Sequence, residues 1–176
     1  MEYIELKLVP QYTRASVCCF TGNRPHRLPW GEREDDARCV IIKKKLTEQI
    51  ELLIQSGIIL FVCGMAQGAD TYFVESVIAL KEKYPHIQIE GAIPYFGQAD
   101  AWSDKERARY SKNLSLIDYK TVVSDTPSRY APLKRNRYMV DKSSVLLSLN
   151  YDDNGGSAYT EHYAEGKGVK IIKINQ

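Results

Sequence analysis

The sequence predicts an α/β fold of the Rossmann-like type, a doubly wound and mostly parallel sheet of about six strands with helices on both faces. Short apolar runs alternate with longer segments in which apolar residues recur every three or four positions. Three of the apolar runs end in a glycine-bearing loop that opens a helical pattern. Strands that alternate with helices need crossover connections, so neighbouring strands are expected to be parallel.

The predicted elements follow one another without a long gap from Ser16 onward. Strands are expected at 16–20, 58–63, 87–93, 120–124, 144–149 and 169–174. Helices are expected at 36–55, 70–80, 102–117 and 133–141 and after Gly155. The last strand alternates between polar and apolar residues, which is typical of the edge of a sheet.

The length of 176 residues fits one domain. We expect residues 15–176 to form a single Rossmann-like domain, because no repeat, linker or low-complexity stretch divides them. Residues 1–14 match no element of that pattern, and their structure is left open.

The composition indicates a globular protein of balanced charge. Hydrophobic residues make up 44% and charged residues 26% of the chain, with a formal net charge of +2. That charge is too small to predict non-specific binding to a polyanion, so nucleic acid is an unlikely partner. No apolar run approaches the roughly 18–20 residues of a membrane span, and we expect a cytoplasmic protein with no membrane partner.

The cysteines and histidines predict neither a metal site nor a redox pair. Spacings between the four cysteines match no zinc cluster and no CxxC motif, so buried thiols are expected. The three histidines are scattered without ligand spacing. No cofactor other than a nucleotide-like ligand is therefore expected.

Three loops between a strand and a helix carry glycine and could form one phosphate site. Glycine allows amide groups to approach an anion, and a helix start adds partial positive charge. The alternative is that each glycine only makes a turn and that Asp70 and Ser157 only cap helices. The candidate ligand-binding residues of these loops are Thr21, Gly22, Asn23, Arg24, Gly64, Gly68, Asp70, Gly155, Gly156, Ser157 and Thr160.

Two further residues have an open role. Arg135 precedes the fifth strand and should lie beside the loop that follows it, where an arginine next to an anion has an electrostatic role. Trp30 lies in the first loop and either stacks on a base or covers the core.

The chain resembles the YpsA-like branch of the SLOG superfamily. The segments that carry the resemblance are Cys19 to Pro25 (CFTGNRP), Gly64 to Asp70 (GMAQGAD), Ala92 to Pro94 (AIP), Arg135 to Asp141 (RNRYMVD) and Gly155 to Thr160 (GGSAYT). The resemblance implies a Rossmann-like fold shared with DprA-type DNA-processing proteins and Lonely Guy phosphoribohydrolases. It also implies a nucleotide-derived ligand, suggested links to bacterial stress or cell division, and relatives that commonly form homo-oligomers.

The resemblance to the hydrolases is incomplete after Gly156, where Ala158, Tyr159 and His162 stand in place of a glycine, a threonine and a glutamate. Their active-site arginine would correspond to Arg135, but His162 stands where they have a glutamate, and a histidine cannot supply a negative charge. Binding or sensing of a nucleotide-like ligand is therefore the leading hypothesis. A nucleoside-monophosphate phosphoribohydrolase, an N-glycosidase, and a DprA-like DNA-processing protein are the alternatives.

Overall fold

Six parallel strands form one sheet in the computed structural model, which describes residues 8–176. The order across the sheet is β4-β3-β2-β1-β5-β6. The strands are β1 Val17–Gly22, β2 Leu60–Cys63, β3 Gln88–Ile93, β4 Tyr119–Val122, β5 Val145–Leu149 and β6 Lys170–Lys173. The predicted strands are all present, and the last one is an edge strand as expected.

Five α-helices connect the strands and cover both faces of the sheet. They are α1 Ala37–Gln55, α2 Ala69–Leu80, α3 Asp104–Leu116, α4 Ala131–Asp141 and α5 Gly156–Gly166. Side chains of α1, α2 and α3 share one core with one face of the sheet, and those of α4 and α5 share a second core with the other face. The Rossmann-like fold class is therefore confirmed.

Strand β1 shows how the sequence divides the two cores. Cys18 and Phe20 point toward α1–α3, where Phe20 stacks on Phe73 with ring centroids 4.6 Å apart. Val17 and Cys19 point toward α4 and α5. Alternate side chains of a strand lie on opposite faces, so a continuous apolar run is needed when both faces are covered. All four cysteines are buried and free, as expected.

The described part of the N-terminal segment packs on the α4–α5 side of the sheet. Val9 and Tyr12 contact that core, and the Tyr12 hydroxyl lies 3.5 Å from the hydroxyl of Tyr119 on the edge strand β4. The sequence analysis left the structure of residues 1–14 open, and of these, residues 1–7 lie outside the described residues.

The strand order reverses between β1 and β5, since the chain adds β2, β3 and β4 on one side of β1 and then β5 and β6 on the other. In such sheets ligands bind beyond the carboxyl ends of the strands near this point. Within residues 8–176, no helix has the length and hydropathy needed to cross a bilayer.

Candidate functional site

Asn23 joins the three glycine-bearing loops at the carboxyl ends of the strands. Its amide donates to the Leu149 carbonyl at 3.1 Å, and its own carbonyl accepts from the Ala69 amide at 3.1 Å. Its side chain donates to Asn150 Oδ1 at 3.0 Å and accepts from the Tyr151 amide at 2.7 Å. The loop after β1 is thus held both to the start of α2 and to the loop after β5.

Two glycines allow α2 to approach β1 this closely. A Cβ atom on Gly22 would lie 2.4 Å from the Cβ of Ala69, which real structures do not tolerate. Gly68 has a φ of +81°, and a Cβ there would lie 2.8 Å from the Asn23 carbonyl oxygen. Both positions therefore need glycine. Gly22 needs it for close packing, and Gly68 needs it for close packing and for its backbone conformation.

The N-terminus of α2 is left without a side-chain cap. Gly68 occupies the N-cap position, and among residues 8–176 no oxygen accepts from the Gln67 or Gly68 amide. By contrast, Asp36 caps α1 and Ser103 caps α3 with side-chain hydrogen bonds. Free amides at a helix start, with the partial positive charge of the helix dipole, suit an anionic group.

The N-terminus of α5 also lacks a side-chain cap, but the hydroxyls near it are engaged. Gly155 is the N-cap residue with a φ of +97°, and Gly156 beside it is exposed. The Thr21 hydroxyl donates to Ser157 Oγ at 3.4 Å. The Thr160 hydroxyl donates to the Gly156 carbonyl at 2.7 Å. Backbone amides are the groups that this end of α5 offers a ligand.

Arg24 and Asp70 flank the start of α2 in opposite environments. Arg24 is exposed, and no residue in 8–176 forms an ion pair or hydrogen bond with its side chain. Asp70 is buried, and its Oδ2 accepts from the Ala66 amide at 2.9 Å, which shapes the loop after β2. Burial raises the pKa of Asp70, against the opposing effects of the nearby Arg135 charge, the Ala66 amide and the Arg24 charge.

Arg135 is a buried support beneath this loop. Its Nη1 donates to the carbonyls of Gly64 and, at 3.2 Å, Ala92, and its Nε donates to Asn136 Oδ1 at 2.8 Å. A Cβ on Gly64 would overlap the guanidinium, so the two residues fit only as a pair. Burial lowers the pKa of Arg135, and the charge of Asp70 opposes the change. The residue that the sequence offered as a catalytic candidate thus ties the ends of β2 and β3 together.

A cleft of about 800 Å³ opens beside the start of α2. Pro25 and residues 32–35 border one side, residues 101–103 together with Lys105, Glu106 and Arg109 of α3 border another, and Gln67, Gly68 and Tyr72 lie between them. Trp102 lines the cleft and packs edge-on against Tyr110 with ring centroids 5.3 Å apart. Gln67 and Gly68, whose amides have no acceptor among residues 8–176, therefore line a space large enough for a small molecule.

An arginine held by two carboxylates fixes the shape of the cleft. Arg109 on α3 pairs with Glu34 in the loop after β1 and with Glu75 on α2, and Lys43 also donates to Glu34. Burial raises the pKa of Glu34, but hydrogen bonds from Arg109 and Lys43 outweigh it and hold that pKa at about 2. The pKa of Glu75 is lowered for the same reason, by hydrogen bonds from Arg109 and Asn113 against the effect of burial.

The sequence missed the contribution of the segment after β3. Trp102 and Arg109 follow a strand whose carboxyl end reaches the same edge of the sheet, and this topological position was the one available indication of their role. Trp30, left open between base stacking and core packing, is buried and donates to the Tyr72 hydroxyl at 3.2 Å. It belongs to the core.

The start of α5 presents no carboxylate in place of the hydrolase glutamate. The His162 side chain is 91% exposed and lies 3.9 Å from Glu165. The neighbouring Glu161 is buried and accepts from the Ser148 hydroxyl at 2.6 Å. In the described range, no three His, Cys, Asp or Glu side chains are grouped as metal ligands.

Comparison of the sequence with known proteins identifies a family. The model of the YspA SLOG family matches residues 18–171. A UPF0398 protein of Halalkalibacterium halodurans is 33% identical over 144 residues, covering 80% of this chain and 75% of the relative. One of Lysinibacillus sphaericus is 26% identical over 164 residues, covering 88% and 90%. The SPbeta prophage-derived protein YoqJ of Bacillus subtilis is 30% identical over 138 residues, covering 70% and 80%.

Two solved structures share the fold. The DNA processing protein A of Streptococcus pneumoniae superposes with a TM-score of 0.57 at 13% identity over 90% of this chain. The DNA processing protein A of Helicobacter pylori, whose structure concerns single-stranded DNA binding, superposes with a TM-score of 0.60 at 16% identity over 92%. The chain spans 50% and 65% of those two proteins.

Proposed function

The chain belongs to the YspA SLOG family, and on that premise we propose that it binds and senses a nucleotide or nucleotide-derived ligand. The anionic group of the ligand lies at the start of α2, and its base and sugar lie in the adjoining cleft. The resemblance to SLOG proteins suggests bacterial stress or cell division as the setting.

One observation carries the proposal: Gln67 and Gly68, whose amides have no acceptor within residues 8–176, line the cleft at the start of α2. The Gln67 and Gly68 amides lie at the positive end of the helix dipole and have no acceptor in the described chain. Arg24 adds an exposed cation that is near enough to affect the pKa of Asp70, the second residue of α2. Amides together with an unpaired arginine fit a phosphate better than a neutral group.

The cleft suits the remainder of such a ligand. Its volume of about 800 Å³ lies within the usual 300–1,000 Å³ range of small-molecule sites. The Trp102 ring offers a stacking surface for a base. Glu32, Asp35 and Glu106 also line the cleft, and carboxylates there can accept hydrogen bonds from ribose hydroxyls.

Isothermal titration calorimetry against AMP, ADP, ATP, NAD and ADP-ribose tests the proposal. We expect at least one ligand to bind, and Arg24→Ala to weaken its affinity about tenfold through loss of a charge-assisted contact. Arg107→Ala is the matched control, since Arg107 is exposed on α3 and pairs with Asp104 of its own helix. Flat titrations with the whole panel would contradict the proposal.

Tryptophan fluorescence locates the ligand. The chain has two tryptophans, of which Trp102 lines the cleft and Trp30 is buried in the core. A ligand in the cleft changes the emission of the wild type and of Trp30→Phe, and this change is lost in Trp102→Phe. A response that survives in Trp102→Phe would place the ligand elsewhere.

The hydrolase alternative has a test of its own. Release of free base from nucleoside monophosphates, abolished by Arg135→Ala, would favour the phosphoribohydrolase. The fold likeness to the two DNA processing proteins, at 13% and 16% identity, carries no DNA site to this chain. Neither alternative has a supporting feature in the cleft comparable to the free amides of α2.

A further inference from the structure

A strip of basic and tyrosine side chains runs along the outer surface of α4 and α5. Tyr130, Lys134 and Arg137 recur at steps of four and three, so they lie on one face of α4, and all three are exposed. On α5, Tyr159 and Tyr163 are half-buried and Lys167 is exposed. We call these six residues the α4–α5 strip.

Contacts between the two helices join Arg137 on α4 to the tyrosines of α5. The Arg137 guanidinium lies 5.5 Å from the Tyr159 ring centroid and 5.6 Å from that of Tyr163. The two tyrosine rings are nearly parallel, with an interplanar angle of 12° and centroids 6.4 Å apart. Lys167 Nζ lies 5.3 Å from the Tyr163 ring. In this part of the strip, two stacked tyrosine rings therefore lie between two cations.

The strip concentrates positive charge that the whole-chain average hides. Arg129, which lies 4.7 Å from the Tyr130 ring, adds a fourth cation to Lys134, Arg137 and Lys167. Among residues 8–176, the carboxylate that contacts the strip is Asp141, which accepts from the Tyr163 hydroxyl at 2.8 Å and lies 3.7 Å from Lys167. The local charge of four cations and one carboxylate is therefore more positive than the net charge of +2 of the entire chain.

We infer that the α4–α5 strip binds single-stranded nucleic acid. Phosphates would contact the cations, and unpaired bases would stack on the tyrosine rings and on the Arg137 plane, the combination that sequence-independent single-strand binding uses. A second copy of the chain is a poor occupant, because a two-fold interface would bring the same positive surfaces together.

The strip is separate from the proposed ligand cleft. It lies on the face of the sheet covered by α4 and α5, whereas the cleft lies between α2, α3 and the loop after β1. Loss of nucleic-acid binding at the strip therefore leaves ligand binding in the cleft intact, and the two proposals can fail independently.

Fluorescence anisotropy with a labelled 20-nucleotide oligo(dT) measures binding to the strip. We expect saturable binding of the wild type at 50 mM salt, weakened about tenfold in Lys134→Ala/Arg137→Ala. The slope of log affinity against log salt should fall in magnitude by about 1.4, since each lost phosphate contact removes about 0.7. Lys44→Ala/Lys45→Ala removes two exposed lysines from α1 and is the matched control.

Two further variants separate charge from stacking. Lys134→Ala alone should also lower the affinity. The Lys134 side chain has no partner within residues 8–176, so we expect the variant to fold normally. Tyr130→Ala should weaken binding about fivefold or more with an unchanged salt slope, because it removes a stacking surface and no charge.

Four outcomes would overturn the inference. They are absence of binding at 50 mM salt, equal loss in the α1 control, equal affinity for a duplex of the same length, and displacement by an equimolar poly-glutamate peptide. The last result would identify an acidic protein segment as the partner of the strip.

Discussion

Replacing Arg109 with methionine tests whether the carboxylate clamp holds the cleft together. Arg109→Met keeps much of the side-chain volume but leaves Glu34 and Glu75 without their shared cation. In the variant, the two half-buried carboxylates Glu34 and Glu75 lie near each other, and Lys43 is the cation that remains beside Glu34.

The pKa of Glu34 sets the size of the effect. A fall from the usual value of 4.5 to about 2 corresponds to roughly 3 kcal/mol of stabilisation of the charged carboxylate. The side chain is 30% exposed and Lys43 supplies part of the effect, so the contribution of Arg109 is roughly 2 kcal/mol after solvent screening. That stabilisation is present above pH 4.5, the ordinary pKa, and is lost as the pH falls toward 2.

Urea unfolding at a series of pH values measures the prediction. At pH 7 the variant should lose about 2 kcal/mol of unfolding free energy without a change in the urea m-value. The difference from the wild type should shrink as the pH falls from 4.5 toward 2, since both carboxylates become protonated in both proteins. Arg107→Ala, the control, should lose under about 0.5 kcal/mol at any pH. A difference of constant size across this range would refute the assigned electrostatic role of Arg109.

Three further predictions concern the packing that positions the site. Gly68→Ala should lower stability by about 2 kcal/mol in thermal unfolding, because φ is +81° and the added Cβ would meet the Asn23 carbonyl oxygen; an unchanged melting temperature would contradict it. Lys142→Met should cost about 3 kcal/mol in urea unfolding, since Glu90 is fully buried and Lys142 is its cation partner within residues 8–176. A neutral effect would show that the hydroxyls of Thr121 and Tyr138, which also donate to Glu90, suffice. The four cysteines should react with a thiol reagent only on unfolding, as all are buried and burial raises the pKa of Cys19 to about 12; rapid labelling of the native protein would be inconsistent with this core.

The alternation of apolar runs and helical stripes was sufficient to predict the fold. The run from Val17 to Phe20 is apolar on both faces because helices cover both faces of β1, and the stripe of Ile42, Leu46 and Ile50 packs α1 onto the sheet. Strand starts were less well predicted. Ile58 and Ile59 were predicted to belong to β2, but β2 begins to pair with β1 only at Leu60, which lies opposite Val17.

The glycine loops were predicted because three of them follow strands at corresponding positions of successive strand–helix units. The structure adds what each glycine accommodates, Ala69 at Gly22 and the Arg135 guanidinium at Gly64. The side of the cleft formed by α3 was not predicted. Trp102 and Arg109 lie in a polar helix whose role depends on contacts with Glu34 and Glu75, which are distant in sequence.

Backbone amide shifts in a ¹H–¹⁵N NMR titration with AMP would test the central claim most directly. The account predicts the largest shifts at the amides of Gln67 and Gly68, together with the indole N–H of Trp102. Saturating AMP that leaves these three signals in place, or that moves only signals on α4 and α5, would contradict it.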